Sequence, residues 1–214
     1  SIIRDHMAVY GRIDNLAEKV AIHINDTHPA LCIPELMRIL VDEYFMGWDQ
    51  AWKIVTEVCS YTNHTVMPEA LETWNEDLFR LKLPRIYSIV KEINERFCRE
   101  AWNVFPGNWN KISKMSVIGY GQVRMANLCV IGCHCINGVS KLHSDILVKS
   151  LFHDFYAMYP ERFTNVTNGI AHRRWLCYSN PQLASLLDET IGTGYRHNPI
   201  ELNNFAKFAD DAEV

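Results

Sequence analysis

The chain is 214 residues long, 48% hydrophobic and 21% charged, with a formal net charge of −4. That size and composition suit one large globular domain, or one and a half small ones, and exclude fibrous repeats and wholesale disorder. Its basic residues are scattered rather than massed, which argues against nucleic acid or an anionic membrane as the main partner.

The longest strongly apolar run, residues 128–136, falls far short of the roughly 20 residues that a membrane helix needs. The opening SIIRDH lacks the hydrophobic core of a signal peptide, and without an initiating Met it reads as starting within a gene or after processing. Seven cysteines (Cys32, Cys59, Cys98, Cys129, Cys133, Cys135 and Cys177) are odd in number and irregular in spacing. They read as reduced, mostly buried thiols of a cytoplasmic protein, not as a disulfide framework. The N-x-T sequons at Asn25, Asn63 and Asn165 bear on glycosylation only in a secreted protein.

In chain order, residues 19–25 read as a short strand, apolar at Val20, Ile22 and Ile24. A helix is expected over 34–44, with Pro34 in its first turn and Leu36, Ile39, Leu40 and Tyr44 at helical spacing. Gly47 breaks it, and Asp49 is a candidate cap for a helix running to Val58. Residues 59–63 read as a second strand. The clearest helix spans 84–102, with Ile86, Ile89, Val90, Ile93 and Phe97 on one stripe. The apolar run 128–133 reads as a buried strand, and Gly138 as opening a helix toward Leu151. Residues 163–169 read as extended chain and a turn. Asn180 precedes a last amphipathic helix through Leu183, Leu186 and Leu187.

Strands alternating with helices indicate an α/β protein with a mainly parallel sheet. Ligands of such sheets bind beyond the carboxyl ends of the strands. NDTH at 25–28, NHT at 63–65 and HCING at 134–138 all fall at or just after strand ends, which makes a shared polar cleft the expected site.

Asp26 and His28 are spaced to hydrogen bond one substrate hydroxyl or each other, although Asp26 or Thr27 capping the next helix is the commoner explanation. His64 suits a hydrogen-bonding ligand or a general acid–base group, although a lone His near a strand end is more often a satisfied structural residue. Glu69 and Glu72 share a face if helical, as paired glycosidase carboxylates or as a solvated face. Cys129, Cys133, His134 and Cys135 have the wrong spacing for a zinc knuckle, so no metal site is expected. Gly119 and Gly121 lack the third glycine of a dinucleotide loop, and neither a P-loop nor a G-x-S-x-G elbow is present. Arg173 and Arg174 suit phosphate binding or an exposed helix turn.

Several uncommon strings then stand in a familiar order: KVAIHINDTHPAL at 19–31, PELMR at 34–38, YTNHTVMPEALE at 61–72 and LPR at 83–85. NGVSKLHS at 137–144 and TNGIAHRRWL at 167–176 follow. Together they resemble the α-glucan (glycogen and maltodextrin) phosphorylase family, from about residue 2 to about 191. The resemblance implies a glycosyltransferase-B-type fold of two Rossmann-like domains facing a cleft. It implies cleavage of terminal α-1,4-glucosyl units by inorganic phosphate, giving glucose 1-phosphate. It also implies a pyridoxal phosphate cofactor and a full-length homodimer.

On this resemblance, residues 1–168 form the later part of the N-terminal glucan-binding domain and 169–214 the start of the cofactor domain. His64 should bind the glucosyl unit through its ring and main-chain carbonyl, as the residue closest to the chemistry. Asn168 should hydrogen bond the same sugar and Val139 should line its subsite. Asp26 and His28 should lie on the acceptor side with Glu72 nearby, and Trp175 should pack against the pyridoxal ring. The family's Thr-Pro-Arg-Arg-Trp stands here as Ala171-His-Arg-Arg-Trp175, and its Ser-His-Ala-Val-Asn-Gly as Cys133-His-Cys-Ile-Asn-Gly138, changes that spare the ligand positions. Arg4 is followed by Asp5 where animal enzymes carry a second, nucleotide-binding arginine, so AMP activation through that site is not expected. No segment resembles the motif that bears the cofactor lysine, or the phosphate-binding Lys and Arg cluster. The stretch from Tyr195 to Val214 reads as a cut with no closing core element, and the isolated chain is expected to be inactive. A non-catalytic glucan-binding or regulatory module is the alternative.

Overall fold

Alternation through Ile22 and Ile24 does form a strand, but a shorter one than residues 19–25, because Lys19 closes a helical turn ahead of it. The computed structural model describes residues 2–212, which divide between Thr167 and Asn168 into two compact units. In the first, α1 (Ile2–Tyr10) and α2 (Leu16–Lys19) precede β1 (Ile22–Asn25). Next, α3 (Cys32–Arg38) widens into a π turn at Ile39–Glu43, and α4 (Trp48–Val58) runs straight into β2 (Cys59–Thr62). Then come β3 (Thr73–Asn75), α5 (Glu76–Lys82), α6 (Pro84–Val104), α7 (Trp109–Met115), β4 (Ile118–Gly119) and β5 (Gln122–Arg124). The unit closes with α8 (Met125–Gly132), β6 (Cys135–Gly138), α9 (Lys141–Ile146), a π turn at Leu147–Leu151, α10 (His153–Met158) and β7 (Phe163–Asn165).

The main sheet is parallel throughout, in the order β1-β2-β6-β7. Register aligns Ile24, Tyr61, Ile136 and Phe163 in one row. The first three are fully buried, each adding roughly 1.5–3 kcal/mol of apolar burial. The next row, Asn25, Thr62, Asn137 and Thr164, is polar. Side chains alternate between faces, so the apolar row meets the helical core while the polar row faces the other way at the carboxyl edge. A small antiparallel sheet orders β3-β5-β4. Its hairpin loop is Tyr120-Gly121, with φ of 55° and 71°, the left-handed pair that a tight two-residue turn requires. The glycines weighed against a dinucleotide loop therefore serve a β-turn.

Several expectations are corrected here. Residues 128–133 are not a strand: they belong mostly to α8, every residue of which is buried. A helix with no polar face shows no 3.6-residue period, so it reads like a buried strand. Gly138 ends β6 instead of opening a helix. The helix starts at Lys141, where the Ser140 hydroxyl accepts the His143 N–H at 3.1 Å. Asp49 does not cap α4; Gly47 holds that position, and Asp49 accepts from Arg96 at 2.7 Å. The helix expected over 34–44 begins at Cys32, and that over 84–102 extends to Val104. Glu69 sits in a short 3-10 turn, Pro68–Ala70, that leaves out Glu72, so no helical carboxylate pair forms.

The second unit holds a π turn at Arg173–Tyr178, α11 (Pro181–Ile191) and 3-10 turns at Gly194–Arg196 and Pro199–Phe208. Asn180 caps α11 by accepting the Leu183 N–H at 3.2 Å. The stretch from Tyr195 to Val214 is expected to lack a closing core element, yet Tyr195 itself is fully buried and donates its hydroxyl to Asp188 at 3.1 Å. It joins Ala184 and Leu187 in this unit's own small core.

Candidate functional site

The carboxyl ends of β1, β2 and β6 are adjacent, so the loops that follow them converge along one edge of the sheet. After β1, Asp26 takes φ 64°, in the left-handed region that Asp tolerates better than most residues. Its N–H donates to the Thr62 carbonyl at 2.9 Å, and its carboxylate accepts the Thr27 N–H at 2.6 Å. The loop is thereby stitched to the end of β2.

Neither Asp26 nor Thr27 caps α3, whose N-cap position is Leu31. Thr27 is buried and donates its hydroxyl to Glu72 at 2.7 Å, while the Trp74 indole N–H donates to the other Glu72 oxygen at 2.9 Å. Glu72 thus ties the β1 loop to the segment leading into β3. Asp26 and His28 do not bond each other: His28 is exposed and makes no hydrogen bond among the described residues.

After β2, Asn63 is fully buried, and its side-chain oxygen accepts the Thr65 N–H at 3.0 Å. The Thr65 hydroxyl in turn accepts the Met67 N–H at 3.3 Å. These side-chain turns are the local alternative that Asn and Thr offer to regular structure. They leave His64 exposed at the apex, with its Nε2 2.5 Å from Asn25 Oδ1. Because an amide oxygen only accepts, Nε2 carries the proton and donates. The His64 carbonyl accepts no hydrogen bond among the described residues.

Beneath these loops lies a polar ladder that runs from exposed His23 to the buried Thr62, Asn137 and Asn63. His23 Nε2 donates to the Thr62 hydroxyl at 2.5 Å, and that hydroxyl donates to Asn137 Oδ1 at 2.7 Å. The Asn63 amide donates to the Tyr61 hydroxyl at 3.0 Å. Burial, with the Cys129 thiol nearby, pushes the Tyr61 phenol well above its ordinary pKa, so it stays neutral. Past β6, half-buried Val139 donates its N–H to His143 Nδ1 at 3.1 Å.

Asp26, His28, His64, Glu72 and Val139, drawn from four separated stretches of sequence, therefore all belong to the first unit, in or tied to loops along this edge. Asn168 and Trp175 belong to the second unit and both are exposed, Trp175 at 70%. Trp175, Arg173, Arg174, Tyr178 and Ser179 line an open cavity there of about 660 Å³. Asn25 and Asn63 entered the sequence reading only as sequons and within strand-end strings, and Tyr61 and His143 only inside longer strings. The recurrence of Asn at the ends of successive strands was a signal for the first two. Among the described residues no group of three or more His, Cys, Asp or Glu side chains could hold a metal ion, and no helix is long and apolar enough to cross a membrane.

The chain is similar to known enzymes along its whole length. A family model described as carbohydrate phosphorylase matches residues 1–214. Glycogen phosphorylase of Bacillus subtilis (strain 168) is 48% identical over 211 residues, covering 99% of this chain and 26% of the relative. The brain form of glycogen phosphorylase from Rattus norvegicus and the muscle form from Homo sapiens are each 48% identical over 201 residues, covering 92% of this chain and 24% of the relative. The chain spans about a quarter of the length of these curated relatives. It has a mixed α/β fold, and it belongs to the carbohydrate phosphorylase family.

Proposed function

We propose that this chain carries the glucan side of the active site of an α-glucan phosphorylase with a glycosyltransferase-B-type fold. In the reaction, an oxygen of inorganic phosphate bonds to C1 of a terminal α-1,4-linked glucosyl unit. The bond from C1 to the next sugar's O4 breaks and O4 takes a proton, giving glucose 1-phosphate and a glucan one unit shorter.

The observation that carries this reading is the presentation of His64. Its ring is tied to Asn25, its carbonyl is unpartnered among the described residues, and the turn on either side is fixed by Asn63 and Thr65. A preorganised carbonyl dipole stabilises positive charge developing on a nearby sugar without reorganising during reaction. Val139 and Asn168 complete the contacts to the same glucosyl unit, and Asp26, His28 and Glu72 serve the acceptor sugars. We read residues 1–168 as the later part of the glucan-binding domain and 169–214 as the beginning of the cofactor domain.

Pyridoxal phosphate, when bound, supplies a phosphate group that relays the proton. The exposed indole of Trp175, bordered by Arg173 and Arg174, offers an aromatic face and positive charge suited to such a ring and its phosphate. No segment of this chain resembles the motif that bears the cofactor lysine. The full-length protein is read as a cytoplasmic homodimer acting on α-1,4-glucan and phosphate.

The test is phosphorolysis of maltoheptaose by the full-length protein. Glucose 1-phosphate should form, His64→Ala should lower kcat about 10²-fold, and the 214-residue chain alone should form none. Tight maltoheptaose binding by the full-length protein without phosphorolysis would instead favour a non-catalytic glucan-binding module. That second reading draws support from the placement of Asp26, His28, His64, Glu72 and Val139 within the first unit alone.

A further inference from the structure

His143 joins two loops that the sequence separates widely. It lies in the first turn of α9 and is 9% exposed. Its Nδ1 accepts the Val139 N–H at 3.1 Å, so in the neutral ring the proton resides on Nε2. Nε2 lies 3.1 Å from Asn63 Oδ1 and donates to it. Both edges of the ring are therefore used, and in only one tautomer.

Asn63 is itself over-determined. Its Oδ1 also accepts the Thr65 N–H at 3.0 Å, its amide donates to the Tyr61 hydroxyl at 3.0 Å, and its main-chain N–H donates to the Asn137 carbonyl at 3.0 Å. The residues on either side of His64 are thus anchored through Asn63, and Asn63 is anchored to His143. On the other side, α9 holds His143 in place, because its N–H is taken by Ser140 Oγ and Ser140 O accepts the Ser144 N–H at 2.9 Å.

We propose that His143 is a positioning residue of the glucan site, whose ring sets the spacing between the Val139 turn and the His64 turn. This rests on the glucan reading of those two turns. His143 touches no substrate in this account. It acts by keeping the Val139 main chain and the His64 carbonyl in one fixed relation, so that both meet the same glucosyl unit. A displacement of about 1 Å at such a site is enough to cost up to about 10²-fold in rate.

Two variants divide the ring's functions. His143→Asn keeps an acceptor near the Nδ1 position for Val139, and His143→Gln keeps a donor near the Nε2 position for Asn63. In the full-length protein, His143→Ala should lower kcat for maltoheptaose phosphorolysis by 10- to 100-fold with a smaller change in KM. Each single-link variant should recover part of the loss. The effects of Asn63→Ala and His143→Ala on kcat should fall short of additive, because the two share one linkage, although Asn63→Ala also breaks the bonds to Thr65 and Tyr61 and His143→Ala the bond from Val139.

Wild-type kcat and KM in a folded His143→Ala or His143→Gln protein would overturn the proposal, as would fully additive effects of the two alanine variants. If the alanine variant does not fold, the Asn and Gln variants carry the same comparison. A crystal structure of the wild-type full-length protein with a maltooligosaccharide gives the direct reading: the Val139 amide should still point at His143, and its turning away would sink the idea. A wild-type protein that neither binds nor cleaves maltoheptaose would count against the proposed function instead, while that structure would still read the linkage itself.

Discussion

The ring of His64 donates to the side chain of Asn25 across 2.5 Å, joining the loop that follows β2 to the last residue of its neighbour β1. Asn25 does not need to touch substrate to matter, since it decides where the ring points. Asn25→Ala should lower kcat/KM for maltoheptaose roughly tenfold while changing stability by no more than about 1 kcal/mol, as expected for one exposed hydrogen bond. Kinetics paired with urea unfolding of the same preparation checks both halves of the statement.

Tyr61→Phe removes one oxygen from a residue with no solvent exposure and strands the Asn63 amide that donated to it. An unpaired buried donor costs about 1–3 kcal/mol, more than the lost bond itself. A fall in the unfolding free energy of that size is expected. A neutral effect would mean that water reaches Asn63.

Gly138 and Gly132 both meet neighbours too closely for a side chain, but of different kinds. A Cβ on Gly132 would come within 2.8 Å of Cγ2 of Ile33, a fully buried β-branched side chain. A Cβ on Gly138 would come within 2.6 Å of Ser144 Oγ and 2.9 Å of the Ser144 backbone nitrogen. Each alanine variant should cost about 1–3 kcal/mol through overpacking. Only Gly138→Ala should also weaken maltoheptaose binding, because the backbone it displaces belongs to α9, which carries His143. Isothermal titration of the two variants would separate the effects.

Burial pushes the thiols of Cys129 and Cys133 well above the ordinary cysteine range, so both stay protonated in the folded protein. An unfolded thiol ionises near pH 8.5. The stability these groups contribute is therefore complete below that pH and declines above it, by about 1.4 kcal/mol per pH unit for each thiol. Urea midpoints should fall steeply between pH 8.5 and 10, and Cys129→Ala should flatten the slope. Alkylation of these two thiols at pH 8 should stay slow unless the protein unfolds.

β1 and β2 were legible because Ile24 and Tyr61 alternate with polar neighbours before an Asn-containing turn, whereas β6 was misplaced, its strand read at 128–133 and its last residue, Gly138, read as opening a helix. α6 was legible because its apolar stripe has a charged opposite face. α8 was not, since burial on all sides erases the pattern by which a helix announces itself. The candidate site was half legible. Asp26, His64 and Val139 stand in strings that resemble a known family. The buried partners that hold them, Asn63 and His143, are 80 residues apart, and no local pattern pairs them. Such long-range pairing is decided by strand order, which depends on the whole chain.

Asp26 holds a backbone conformation that glycine would adopt without steric cost. Every other residue type there surrenders some stability, an Asp less than most. Under the proposed function, an aspartate at this bend gives up backbone ease for a carboxylate on the acceptor side of the site. Asp26→Gly should change stability by no more than about 1 kcal/mol, the relieved backbone offsetting the lost bond from the Thr27 N–H, and yet give a poorer host for a sugar.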